Sequence, residues 1–270
     1  MAWSRAVALP LAPVLLWQGR RVRRDTPKLP EAGGPRHGLV KPQPGPLNPQ
    51  HGPLNPKHPV ADPLRLLILG DSSAAGVGTD RQATALSGRL VAGLVARTGR
   101  AVQWRLVART GITTREALAL MQAEPADPFD VAVVALGVND VTALRGRARW
   151  LVDVARVTAR LAERHAVRRV VWSGLPPMHL FPALPQPLRG VIGLHARVFD
   201  AALDDWCAHR TASARITDAG HAVARASTVY VPLPRMTDPS LIASDGFHPG
   251  PGAYRLWGDV LAECIAGQPG

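Results

Sequence analysis

Arg65-Leu66-Leu67-Ile68-Leu69-Gly70-Asp71-Ser72 decides how this chain is read: an apolar run ends on a small-residue turn that presents a serine. A run of that kind fits a strand covered on both faces, as the strands of parallel sheets are. Working outward, the pattern repeats. Gln82 to Thr98 is an amphipathic helix ending at Gly99, and Val102 to Ala108 a second strand. Thr113 to Gln122 is a helix started by Thr113 or Thr114, and Val131 to Leu136 is an almost wholly apolar strand. A long helix from about Ala148 to His165 leads into a strand at Val167 to Ser173. The proline-rich stretch Gly174 to Gly190 is expected to be a loop over one end of the sheet. A helix from about Val191 to His209, a weak strand at Val229 to Val231 and a helix after Pro249-Gly250-Pro251 complete the series. Short apolar runs alternating with amphipathic stretches predict βαβ units and an α/β fold around a central parallel sheet of about five strands.

In an open parallel sheet, ligands bind beyond the carboxyl ends of the strands. Ser72, Gly111, Asn139 and the Gly174 loop each follow a predicted strand, so topology alone brings them to one rim. A serine hydroxyl is a poor nucleophile until a neighbouring base takes its proton, and histidine does this best near neutral pH. Among the nine histidines, His248 stands out, with a carboxylate three residues earlier on the turn Asp245-Gly246-Phe247-His248. Asp245 could hold the far imidazole nitrogen, fixing the tautomer and stabilising the imidazolium. Donors for a developing oxyanion would be the backbone N–H of Ser72, the backbone N–H of Gly111 and the Asn139 amide. Taken singly, each residue has a purely structural explanation: a turn, a helix N-cap, a positive φ, a stabilising pair. Four such features in the order acyl transfer requires argue for chemistry.

The blocks Gly70-Asp71-Ser72-Ser73, Arg109-Thr110-Gly111, Gly137-Val138-Asn139-Asp140 and Asp245-Gly246-Phe247-His248 resemble the signature of the SGNH (GDSL) hydrolase superfamily. The likeness runs from Leu64 to the C-terminus. It implies a flavodoxin-like three-layer α/β/α fold and ester hydrolysis through an acyl-serine intermediate. It implies Ser72, Asp245 and His248 as catalytic residues, and Ser72, Gly111 and Asn139 as the oxyanion hole. Two departures stand out: the usual Gly-Asp-Ser-Leu reads Gly-Asp-Ser-Ser, and the second block lacks the frequent Asn-x-Gly. A classical α/β-hydrolase would carry Gly-x-Ser-x-Gly, whereas residues 70–74 read Gly-x-Ser-x-Ala. A dinucleotide or P-loop fingerprint is equally absent from residues 70–78. Acyl transfer to an alcohol and polysaccharide deacetylation use the same residues and are the alternatives within enzymes; a membrane-surface binding module is the alternative outside them. No cofactor or metal is expected.

Residues 1–63 read differently: an apolar, basic N-terminal segment and a proline-rich linker ahead of a hydrolase domain at 64–270. Residues 1–62 hold nine Lys and Arg against Asp25, Glu31 and Asp62, half of the net charge of +12. Ala6 to Gly19 is uncharged, mostly apolar and interrupted by Pro10 and Pro13, and Arg20-Arg21-Val22-Arg23-Arg24 follows. A secretory signal would put its charge first, and about 20 apolar residues are needed to cross a bilayer. The expectation is therefore a cytoplasmic protein with peripheral membrane contact through residues 1–24, the alternatives being packing on the domain or an atypical export signal. The near-repeat Gly45-Pro46-Leu47-Asn48-Pro49-Gln50-His51 and Gly52-Pro53-Leu54-Asn55-Pro56-Lys57-His58 reads as an extended spacer. Basic charge without aromatic interleaving or a DNA-binding motif gives no nucleic-acid partner. The expected partner is a small-molecule or lipid-like ester. Cys207 and Cys264 lack metal-ligand spacing; two buried thiols or one pair are both open.

Overall fold

The decisive apolar run is one strand of a six-stranded sheet in the computed structural model, which describes residues 3–43, 62–216 and 226–267, without the side chains of 3–10 and 211–216. The strands are β1 (His37–Val40), β2 (Leu64–Gly70), β3 (Val102–Ala108), β4 (Val131–Ala135), β5 (Arg169–Ser173) and β6 (Ser227–Val231), in the order β1-β3-β2-β4-β5-β6. β2 to β6 run parallel to one another. Counted alone, these five stand in the order 2-1-3-4-5, a doubly wound sheet whose direction of winding reverses between β2 and β4. The rim beyond that reversal is where Ser72 and Asn139 emerge.

The helices are α1 (Trp3–Asp25), α2 (Leu86–Thr98), α3 (Thr114–Gln122), α4 (Val138–Thr142), α5 (Arg147–His165), α6 (Leu188–Ile216) and α7 (Pro251–Ala266). Strand alternation sorts β2 onto two cores. Leu66 and Ile68 pack with Leu90, Leu94, Tyr254 and Leu261 of α2 and α7. Leu67 and Leu69 pack with Met121, Trp150, Val157 and Phe199 of α3, α5 and α6. The result is the expected three-layer α/β/α arrangement.

Local chemistry sets the helix ends. Thr113 caps α3 through a reciprocal pair with Glu116, each side chain bonding the other's backbone N–H. α7 starts with Pro251, whose fixed φ suits a first turn. α2 starts at Leu86 rather than Gln82, because Gln82 to Thr84 form a separate 3₁₀ turn. The buried Gln82 amide is committed to Ala32 O (3.1 Å) and Ala75 O (2.9 Å), and its oxygen accepts from Ser87 Oγ (2.7 Å).

Three further features depart from the sequence reading. β1, from the stretch read as linker, is a sixth strand; it pairs antiparallel with β3, His37 opposite Arg105 and Val40 opposite Val102. It is an exposed edge strand held by backbone bonds, so no apolar alternation announces it. α6 runs from Leu188 to Ile216, longer at both ends than expected. The apolar and basic stretches of the leader form one continuous helix, α1. Cys207 belongs to one core and Cys264 packs against the other, so no bridge joins them. The near-repeat with His51 and His58 lies outside the described residues.

Candidate active site

Ser72 leaves β2 through a turn that only a glycine permits. A Cβ on Gly70 would stand 2.3 Å from the Ala74 Cβ and 2.7 Å from the Ala135 carbonyl oxygen. The serine is therefore drawn tightly against the end of β4. Its Oγ lies 2.9 Å from His248 Nε2, and His248 Nδ1 lies 2.5 Å from Asp245 Oδ2. An ionised carboxylate can only accept, so in a neutral imidazole Nδ1 carries the proton and Nε2 is left to accept from Ser72 Oγ.

The turn bearing the histidine is built around Asp245 and Gly246. Asp245 Oδ1 accepts the backbone N–H groups of Phe247 (2.9 Å) and His248 (3.0 Å), while Oδ2 meets the ring. Gly246 has φ +68°, and its carbonyl accepts from Ala183 N–H at 3.1 Å, docking the proline-rich loop on this turn. Burial on its own would raise the Asp245 carboxyl; the His248 ring and the two backbone donors outweigh it and hold the group below its ordinary value. Asp245 is thus an ionised, nearly inaccessible carboxylate beneath the imidazole. Phe247 lies edge-on to both His248 (5.3 Å) and Phe181 (4.9 Å).

On the other side of Ser72, Asn139 is the second residue of α4, not the N-cap; Gly137 is the N-cap, with φ +124°. Asn139 Nδ2 donates to Ile112 O at 2.9 Å and makes a longer contact of 3.3 Å with Asp71 Oδ2. It therefore stands between the loop containing Gly111 and the nucleophile turn. Its neighbour Asp140, fully buried, accepts both the N–H and the hydroxyl of Thr114 at 2.8 Å and ties α4 to α3. Gly111, exposed and with φ +83°, sits on the loop after β3. Among the described residues, the N–H groups of Ser72 and Gly111 make no hydrogen bond. Ser72, His248 and Asp245 are thus joined directly, Asn139 meets the nucleophile turn through Asp71, and Gly111 precedes Ile112, whose carbonyl Asn139 holds.

Two contributors were not expected. Asp71 Oδ1 accepts the N–H and hydroxyl of Ser73 (3.0 and 2.8 Å), and Oδ2 faces Asn139. Burial raises its carboxyl, partly opposed by the Ser73 bonds. A lone Asp in a Gly-Asp-Ser turn carries no sequence signal of that reach. The second is the far wall of the cavity. Ser72 and His248 open into a narrow apolar slot of about 70 Å³ lined by Leu175, Phe181, Leu233, Met236 and Ile242, among others. Leu175 and Phe181 belong to the proline-rich loop whose apolar character the sequence displays. Leu233, Met236 and Ile242 come from an irregular segment without periodicity.

Comparison with known proteins bears on the same stretch. The GDSL-like Lipase/Acylhydrolase family matches residues 68–256. A GDSL-like esterase of Mycobacterium tuberculosis is 32% identical over 201 residues, which are 73% of this chain and 60% of that protein. The chain thus spans about 60% of the length of the curated relative it matches. A lipase from a goat rumen metagenome superposes with a TM-score of 0.56 at 17% identity, over 76% of this chain and 97% of its own. A family two carbohydrate esterase from Clostridium thermocellum, solved with cellohexaose, superposes with a TM-score of 0.55 at 14% identity, over 76% of this chain and 64% of its own. At such identities the two solved structures speak for the fold alone. The family match covers well over half of the chain and contains Ser72, Gly111, Asn139, Asp245 and His248, and on that ground the chain belongs to the GDSL-like lipase/acylhydrolase family.

Proposed function

We propose that this protein is a serine ester hydrolase acting on carboxylic esters of short to medium acyl chains. The observation that carries the reading is the unbroken line Ser72 Oγ, His248, Asp245, with contacts of 2.9 and 2.5 Å. Ser72 Oγ attacks the ester carbonyl carbon as His248 Nε2 takes the hydroxyl proton. The tetrahedral oxyanion is met by the N–H groups of Ser72 and Gly111 and by the Asn139 amide. The Asn139 N–H on the longer, 3.3 Å contact to Asp71 is the more weakly engaged one and the one available to the oxyanion, while the other stays on Ile112 O. Collapse breaks the ester C–O bond, and His248 returns the proton to the leaving alcohol. Water, deprotonated by His248, then attacks the acyl-serine and releases the acid and free Ser72. Asp245 stays ionised throughout and stabilises the imidazolium.

The narrow apolar slot beside Ser72 supports an acyl group without charge and of limited length. The test is hydrolysis of p-nitrophenyl esters from acetate to palmitate by the wild type and by Ser72→Ala. The expected result is turnover that depends on Ser72, peaks below the long chains, and vanishes in the variant without a fall in Tm. A Ser72→Ala protein that still turns over would sink the mechanism. A peak at palmitate would remove the limit on acyl length.

A further inference from the structure

We infer that Glu31, from the N-terminal segment outside the family-matched stretch, is a positioning residue for the oxyanion hole; the inference rests on the esterase reading above. The loop Arg109-Thr110-Gly111 is exposed and has little packing to order it: a Cβ added to Gly111 would meet nothing within 4 Å. Its order must come from hydrogen bonds. Arg109 N–H bonds Gly70 O at 3.3 Å, a long contact. The short ones come from Glu31, whose Oε1 accepts both the backbone N–H and the hydroxyl of Thr110 at 2.7 Å. Thr110 is the residue directly before Gly111, so this grip sets where the Gly111 N–H points.

Glu31 is itself held. Its Oε2 accepts from Arg36 Nη2 at 3.0 Å, and Arg36 O accepts from Leu106 N–H at 2.6 Å as the chain enters β1. The next residue, Ala32, is buried and donates its N–H to Ala75 O at 3.2 Å, on the turn that carries Ser72. Gln82 bonds both Ala32 O and Ala75 O. Gly33 N–H bonds Asp80 O at 2.9 Å. Residues 31–40 therefore form a strap along the sheet edge that touches the nucleophile turn and the Gly111 loop together. The Glu31 carboxylate on the Gly111 loop and the neighbouring Ala32 backbone on the nucleophile turn couple the two halves of the oxyanion hole.

A hydrogen-bonding role and a charge-pairing role make opposite demands at position 31. Glu31→Gln keeps an oxygen acceptor at full reach for Thr110 but gives up the ion pair with Arg36. Glu31→Asp keeps the charge but shortens the reach by one methylene. Steady-state kinetics on a p-nitrophenyl ester, with Tm and amide hydrogen exchange of residues 109–112, separate the two. Loss of one oxyanion donor costs about 10²- to 10³-fold in kcat, so loosening one is expected to cost about 10- to 100-fold. Glu31→Asp should show that loss in kcat with KM within about twofold and faster exchange at Thr110, whereas Glu31→Gln stays within about threefold of wild type. Glu31→Asp as fast as wild type, or Glu31→Gln the slower of the two, would overturn the inference. An active Ser72→Ala protein would instead overturn the esterase reading beneath it.

Discussion

Asp245 concentrates three hydrogen bonds on one nearly buried carboxylate, and that explains both what it could do and what it costs to change. Asp245→Asn preserves shape but offers an N–H to His248 Nδ1, so the imidazole would have to carry its proton on Nε2, facing Ser72. Turnover should fall by about 10²- to 10⁴-fold in kcat with little change in KM, as expected when the base is held in the wrong tautomer. An unchanged kcat would mean that Asp245 does not orient the base. The same residue predicts a pH effect on stability. Its folded pKa lies below its ordinary value of 3.8, so its contribution is complete above that value and is lost as pH falls through the lower, folded one. Tm followed from neutral pH down to about pH 2 should drop less steeply in Asp245→Asn than in wild type. Parallel curves would show that the carboxylate contributes nothing through its charge. Residue types at this site were legible because serine, histidine and aspartate at a strand exit and a glycine turn have few other joint uses. Asp71 and Glu31 were not, since their partners lie in distant parts of the chain.

α2 and α7 pack most closely where side chains are missing. A Cβ on Gly258 would stand 2.7 Å from the Arg89 Cβ and 3.0 Å from the Leu90 nitrogen, and one on Gly93 would stand 2.9 Å from the Ala262 Cβ. Both helices thus lie nearly backbone to backbone, and α7 follows directly on the turn that carries His248. Gly258→Val should lower stability by about 1–3 kcal/mol through overpacking, read as a lower urea midpoint at unchanged slope. An unchanged midpoint would mean that the helices can separate there without penalty. Most elements were readable from period and punctuation: the run at β2, Gly99 after α2, the Thr113 cap. The exceptions have local causes. β1 is four residues of exposed edge, recruited by backbone pairing with β3, which leaves no alternation in its sequence. The first turn expected of α2 is diverted because Gln82 spends its amide on two carbonyls of other segments.

Among its described side chains, α1 is bolted to the domain from one side. Leu15 and Val22 pack against the α3–α5–α6 core, and buried Gln18 bridges Gln186 O (2.7 Å) and Leu188 N–H (3.1 Å) at the base of the loop that walls the apolar slot. Its other side leaves Leu16 62% and Trp17 58% exposed, with Arg21 over the Trp17 ring at 5.4 Å and Arg20, Arg23 and Arg24 close by in sequence. Among the described residues, no helix is long and apolar enough to cross a membrane. Peripheral membrane contact through residues 1–24 is a proposal about this surface, resting on apolar residues beside a basic cluster. It predicts that the protein sediments with phosphatidylglycerol-containing vesicles at low salt, less with pure phosphatidylcholine, and less after Trp17→Glu. Equal sedimentation with both lipids, or none with either, would refute it. At this scale the sequence by itself determined the class of fold, and it pointed to strand exits on one rim and to five residues as a candidate site. It could do so because hydrophobic period and turn chemistry are local, and a doubly wound sheet delivers successive strand exits to the same edge. Only the tertiary structure decided the sixth strand, the strap from Glu31 to Thr110, the Asp71–Asn139 contact and the far wall of the slot. Those depend on hydrogen bonds and packing between segments remote in the chain, and such pairings leave no periodic mark on either partner.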